Sequence, residues 1–135
     1  MENIHQDKYK AYSEQITLGR LAINASLQTV KSVFLSREQY EILYSYKDKK
    51  ETSLEIRFDS STLVCLFDGN NMCEGVYLFL DDVVDITHCI EYCNNTYSCD
   101  AVLQGWVVNN CLIRLNTDNK ECGLLILPIK KDRGS

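Results

Sequence analysis

The stretch HCIEYCNNTYSCD, residues 88–100, crowds His88, Cys89, Cys93 and Cys99 into little more than three helical turns' worth of chain. Thiolate and imidazole are zinc ligands, and a structural zinc site takes four of them, usually as two close pairs. Cys89 and Cys93 are four apart, so a helix would put both sulfurs on one face, and Cys99 lies near enough to fold back. His88 would point about 100° away from Cys89 on that helix, which removes it from the same tetrahedron. The remaining cysteines, Cys65, Cys73, Cys111 and Cys122, are widely spaced and offer no second pair. Cys89, Cys93 and Cys99 thus outline a candidate zinc-binding regulatory or adaptor module. The competing reading is that these thiols are small buried apolar groups, and that reading is favoured here.

Other chemistry is weaker still. A Cys–His dyad needs imidazole within hydrogen-bond reach of sulfur, yet the chain has only His5 and His88. Adjacent helix residues such as His88 and Cys89 diverge. The segment DGNNMCEG, with Asp68, Asn70 and Glu74, loosely matches a calcium loop. It lacks glycine at position 73 and a carboxylate at position 79, so it reads as an ordinary turn. No phosphate-cradling glycine motif, paired HExxH or nucleophile elbow occurs. The sequence therefore predicts a protein that is not an enzyme, with no cofactor and no evident small-molecule substrate.

Charge carries more information. Between Arg57 and Arg114 there is no lysine or arginine, while Asp59, Asp68, Glu74, Asp81, Asp82, Asp85, Glu91 and Asp100 fall in that interval, a formal −8 against −5 for the whole chain. A solvated face that aids solubility explains part of it. The functional alternative is an acidic surface that repels nucleic acid and anionic lipid and steers a basic protein partner. Asp81, Asp82, Asp85 and Glu91, with the adjacent Tyr92, form the expected partner-binding set, tyrosine being enriched at interface hot spots. Such a chain is similar in kind to the immunity proteins that neutralise bacterial nuclease toxins: small, acidic, single-domain and non-enzymatic. No motif matches a particular immunity family, so the likeness is one of type. It implies a protein-binding, antitoxin-like inhibitor that occludes the basic active site or nucleic-acid-binding cleft of a toxin. A third possibility is a structural or chaperone-like dimer, with an apolar patch on the strand at 40–46.

Elements must position these groups. The chain has 135 residues, 45% of them hydrophobic and 24% charged, enough for one domain with one core. Residues 1–133 read as a single domain; Gly134-Ser135 resembles a cloning remnant. No apolar run approaches a membrane span, and the charged N-terminal stretch lacks a secretory pattern, so a cytoplasmic protein with reduced thiols is expected.

Apolar residues at Tyr9, Tyr12, Ile16, Ile23, Leu27, Val30 and Phe34 predict one amphipathic helix, capped by Asp7 and weakened around Ile16, Thr17 and Gly19. Residues 36–47 can be strand or a Ser36-capped helix; alternation of Tyr40, Ile42, Tyr44 and Tyr46 favours strand. A hairpin turning at Ser60-Ser61 would pair Leu54 with Phe67, Ile56 with Cys65, and Phe58 with Leu63. VYLFL predicts an inner strand. A second helix carries Val83, Ile86, Ile90 and Cys93 as its stripe, with Asp81 or Asp82 at its N-cap and Asn94-Asn95 at its end.

The last third reads as a meander. Around Asn109-Asn110, Trp106 would face Ile113, and Val108 would face Cys111. A second turn at 116–121 would pair Leu115 with Cys122, Ile113 with Leu124, and Cys111 with Ile126. Pro128 suggests an edge strand. The expected fold is α+β: a mostly antiparallel sheet of about six to seven strands, with an N-terminal helix and a second helix packed on one face.

Overall fold

The computed structural model describes residues 4–35, 41–47, 50–58, 60–116 and 122–129. Two helices open the chain, α1 (Ile4–Ala22) and α2 (Leu27–Leu35). Four strands follow, β1 (Glu41–Lys47), β2 (Lys50–Arg57), β3 (Ser61–Phe67) and β4 (Cys73–Leu80). Helix α3 (Val83–Thr96) leads to β5 (Ser98–Asp100), β6 (Gly105–Val108), β7 (Cys111–Asn116) and β8 (Gly123–Pro128). The fold is α+β, as expected, with one sheet of order β1-β2-β3-β4-β8-β7-β6-β5 and every pair antiparallel. No helix among the described residues is long and apolar enough to cross a membrane.

That strand order carries a symmetry the sequence conceals. Helix then four-stranded meander occurs twice, and the two meanders meet at the β4–β8 seam. The three-residue β5 went unrecognised in the sequence because it is too short to show a period, which accounts for the strand beyond the six or seven expected.

The N-terminal helix breaks, but not near Gly19. Asn24 takes a left-handed backbone, φ 66°, and Ser26 caps α2 by accepting from the Thr29 N–H at 3.2 Å. The tip of the β3–β4 hairpin holds the joint open: Asn24 N–H donates to the Cys73 carbonyl, Cys73 N–H to Ala25, and Leu27 N–H to Asn71, each at 2.8 Å. Gly19 instead lies inside α1 and lets it press on the sheet. A Cβ there would sit 2.7 Å from Ile126 Cδ1 and 3.2 Å from Val76 Cγ1. Asp7, expected as the cap, lies within α1.

Strand alternation sets the core face. Leu54, Ile56, Leu63, Cys65, Val76, Leu78, Ile113, Leu124 and Ile126 are all fully buried against Ile16 of α1, Val30 of α2 and Cys89 of α3. The three helices therefore share one face of the sheet. Residues 41–47 are strand, while residues 36–40 of the ambiguous segment, Ser36 included, lie outside the described residues. The Asn109-Asn110 hairpin has the expected register, Trp106 with Ile113 and Val108 with Cys111, and Asn109 has φ 55°.

Two other registers slip by two residues. Leu54 pairs with Cys65 and Ile56 with Leu63; Leu115 pairs with Leu124, Ile113 with Ile126, and Cys111 with Pro128. A two-residue shift leaves every side chain on its face, so the apolar pattern cannot detect it. The turn that sets the second register, at 117–121, lies outside the described residues, as do Tyr40 and Asp59.

Pro128 does not mark an edge, because β8 is interior, between β4 and β7. The Ile129 N–H bonds the Asn110 carbonyl at 2.8 Å, so the Pro128 nitrogen faces the β4 side. There β4–β8 pairing has already ended at Val76 and Ile126, and no ladder bond is lost.

Candidate functional site

Helix α3 carries most of the residues singled out for partner binding. Asp82 is its N-cap and accepts from the Val84 N–H at 3.0 Å. The helix runs beyond Asn94-Asn95 to Thr96, where the Tyr97 N–H bonds the Cys93 carbonyl at 2.9 Å. Its deepest residues are Cys89, Tyr92 and Cys93, while Ile86 and Ile90 are only partly buried. Helix α3 lies beside α1 on the same sheet face and buries a side centred on Cys89, Tyr92 and Cys93 rather than the expected stripe. Tyr92 packs edge-on to Tyr9 at a centroid distance of 5.5 Å and to Tyr97 at 5.8 Å, with Tyr12 at 6.1 Å.

Tyr92 is therefore buried in the core, 8% exposed. Two of the four carboxylates, Asp81 and Asp85, are also compensated by cations. Arg57 donates two hydrogen bonds to Asp81, at 3.0 and 2.6 Å, and a third to Thr62. Lys8 pairs with Asp85 at 2.8 Å, and the Tyr12 hydroxyl donates to the Asp85 carbonyl. Glu91 accepts from the Tyr9 hydroxyl at 3.4 Å. Both cations come from outside the lysine- and arginine-free interval, so the fold supplies what the local sequence lacks.

The rest of the acidic interval is dispersed. Asp68 accepts from the Asn70 and Met72 N–H groups in the β3–β4 turn, and Asp100 accepts from Val102 and Leu103. Asp68 and Glu74 lie at one end of β4, Asp81 and Asp82 at the other, a separation of roughly 20 Å at the usual strand rise. Among the described residues, the acidic side chains do not converge on one uncompensated surface. Of the expected set, Asp82 and Glu91 remain exposed without a cationic partner among the described residues.

Five of the seven cysteines are core groups. Cys65, Cys73, Cys89, Cys93 and Cys111 are buried, Cys99 is exposed, and all are free thiols. Cys89 and Cys93 do meet on one face of α3, but among the described residues no three of His, Cys, Asp and Glu come together as metal ligands. Hydrogen bonding to Cys93 and burial push the Cys89 thiol pKa well up. Burial likewise raises that of Cys111. Neither is prepared for nucleophilic attack.

The sheet's other face shows what sequence reasoning missed. Register places Val64, Tyr77 and Leu125 in one row, and Leu66, Leu127, Leu112 and Val107 in the next. Tyr77 stacks on Phe79 at 5.4 Å, with planes 9° apart. Leu112 is buried and the others are partly buried. Since α1, α2 and α3 all contribute to the core on the opposite face, no helix among the described residues covers these rows. At the margins, Arg114 donates to the Leu103 carbonyl at 3.2 and 2.8 Å. Glu55 shares the face and Glu74 ends it, neither in an ion pair among the described residues. A sequence signal existed: β3 and β8 are apolar at successive positions, STLVCLF and GLLILP, rather than alternating. Comparison with family models, with curated proteins and with solved structures finds no match.

Proposed function

We propose that this protein is a stoichiometric, non-catalytic protein-binding module, of the inhibitor or immunity kind, and that it engages its partner through the outer sheet face rather than the acidic helix. The observation that carries this reading is the pair of apolar rows centred on Tyr77, Leu125 and Leu127. Contiguous apolar surface with a polar rim marks association surfaces. A rigid aromatic at its middle, here Tyr77 stacked on Phe79, is a typical anchor.

The partner is a protein with an apolar patch and a cationic rim. Glu55, Glu74 and the exposed Asp82 and Glu91 are part of a chain whose formal net charge is −5, which steers a cation and disfavours a second copy of the same sign. Such a partner matches a toxin whose basic cleft is occluded, the charge now acting on approach rather than in the contact.

The test begins with affinity isolation from the native host and recombination of the purified partner with this protein. Calorimetry should give a 1:1 complex. Tyr77→Lys and Leu125→Lys should weaken it by at least roughly 30-fold, the loss of one or two hot spots. Asp82→Asn with Glu91→Gln should slow association at low salt and leave dissociation unchanged. Undiminished binding by the outer-face variants overturns the proposal. So does a concentration-dependent dimer that those variants break, which would make a second copy the occupant.

A further inference from the structure

The turn between β5 and β6, residues 101–104, carries apolar side chains where turns ordinarily carry glycine, asparagine, aspartate or serine. Ala101 is exposed, and Val102, 90% exposed, is the most exposed large apolar side chain among the described residues. A single exposed valine on a helix or strand calls for no explanation. This one differs in how firmly its backbone is held.

Three devices hold it. The Asp100 carboxylate accepts from the N–H groups of Val102 and Leu103, at 2.9 and 3.0 Å. The Arg114 guanidinium donates twice to the Leu103 carbonyl, at 3.2 and 2.8 Å. Both sets are charge-assisted, the stronger class of hydrogen bond. Gln104 closes the turn in a left-handed conformation, φ 59°. Gly105 makes room for the arginine: a Cβ there would overlap the Ile113 carbonyl oxygen and stand 3.2 Å from Arg114 Cγ.

The turn also belongs to the outer sheet face. Tyr77 pairs with Leu125 and Leu125 with Arg114, so Arg114 extends the row of Val64, Tyr77 and Leu125, and its guanidinium ties the turn to the end of that row. Three strand spacings, from β4 through β8 and β7 to β6, separate Tyr77 from the base of the turn, about 15 Å. A standard interface of about 800 Å² per partner is a disc roughly 32 Å across, which takes in both.

We propose that residues 101–104 form a preformed finger that inserts Val102 into an apolar pocket of the protein partner. This rests on the reading that the partner docks on the outer face. Because the backbone is fixed before contact, insertion loses little conformational freedom. The valine is hydrated in the free protein and desolvated in the complex, so its contribution appears as slower dissociation rather than faster encounter. The pocket that receives it is aliphatic, the size of one branched side chain, and lies about 15 Å from the surface that meets Tyr77.

The test begins with backbone relaxation of the free, full chain. Order parameters at residues 101–104 should be about 0.8 or higher. They should fall in Asp100→Ala and hold in Asp100→Asn, which keeps the accepting oxygen. Parent values no higher than those of Asp100→Ala overturn the proposal. Affinity isolation from the native host then uses the parent, Val102→Asp and Tyr77→Lys as parallel baits, and the protein that the parent retains is purified and titrated by calorimetry. Val102→Asp should weaken the complex at least roughly 30-fold and Val102→Ala about tenfold, both through faster dissociation, with the Tm of the free protein unchanged. Asp100→Ala should weaken it too, and Asp100→Asn should not. Parent-like binding by Val102→Asp, while Tyr77→Lys and Leu125→Lys lose the partner, overturns the finger and leaves the outer-face reading intact. Loss with Val102→Asp alone upholds the finger and removes the outer-face reading. A host extract holding no protein that the parent retains and Val102→Asp releases also overturns the finger.

Discussion

Replacing Gly123 by alanine should be among the costliest single-methyl changes in this protein. The added Cβ would overlap the Leu78 carbonyl oxygen and stand 2.9 Å from the Leu78 carbonyl carbon and 3.1 Å from Phe79 Cα. These are backbone atoms of β4, which no rotamer change can move. Gly123 pairs with Phe79 at the β4–β8 seam where the two meanders join. Relief requires opening the end of that ladder. Losing one or two backbone hydrogen bonds and leaving their groups buried costs about 1–3 kcal/mol each. Alanine returns about 0.4–1 kcal/mol by restricting the unfolded chain. The net is roughly 2–4 kcal/mol of destabilisation, a fall in Tm of about 10 °C for a domain of this size. Urea titration followed by fluorescence of Trp106, 7% exposed, measures it directly, and calorimetry checks the Tm. Gly69 is the control: nothing lies within 4 Å of a Cβ built there, so Gly69→Ala should be neutral. A Gly123→Ala protein within about 0.5 kcal/mol of the parent would refute the close approach of β8 to β4.

Gln15 and Ser61 form a buried hydrogen bond of 2.9 Å between α1 and β3. Gln15→Leu should cost about 1–3 kcal/mol by stranding the Ser61 hydroxyl, whereas a double change with Ser61→Ala should recover much of it in a thermodynamic cycle. Burial raises the pKa of the Tyr12 and Tyr97 hydroxyls. The folded state therefore holds these protons more tightly than the unfolded one, and stability is at its full value below about pH 10, the unfolded tyrosine pKa. It should decline as pH rises further toward the folded values; tyrosinate absorbance from these residues that appears well before unfolding would contradict that. Arg57→Ala should cost at most about 1 kcal/mol despite its paired bonds to Asp81, because the pair is exposed, and that loss should shrink in high salt.

Local pattern reached far into the fold. Hairpin pairing around Ser60-Ser61 put Leu63, Cys65 and Phe67 on one buried face, and Asn109-Asn110 identified both a turn and its register. A two-residue hairpin loop leaves one register available, whereas the β2–β3 and β7–β8 connections leave several with the same buried face. The acidic interval misled for a related reason. Its lack of lysine and arginine is a fact of sequence distance, while compensation is a fact of spatial distance, and Lys8 reaches Asp85 across 77 positions.

Composition and periodicity by themselves determined the α+β class, the position of α3, most strands, and the burial of Cys65, Cys93 and Cys111, because those follow from neighbours along the chain. Only the tertiary structure decided that Tyr92 is enclosed by other tyrosines, that Asp81 and Asp85 are neutralised, and that an apolar sheet face lies opposite the helices. Each of these depends on which distant segments meet, and a one-dimensional pattern of apolar and charged residues holds no record of that.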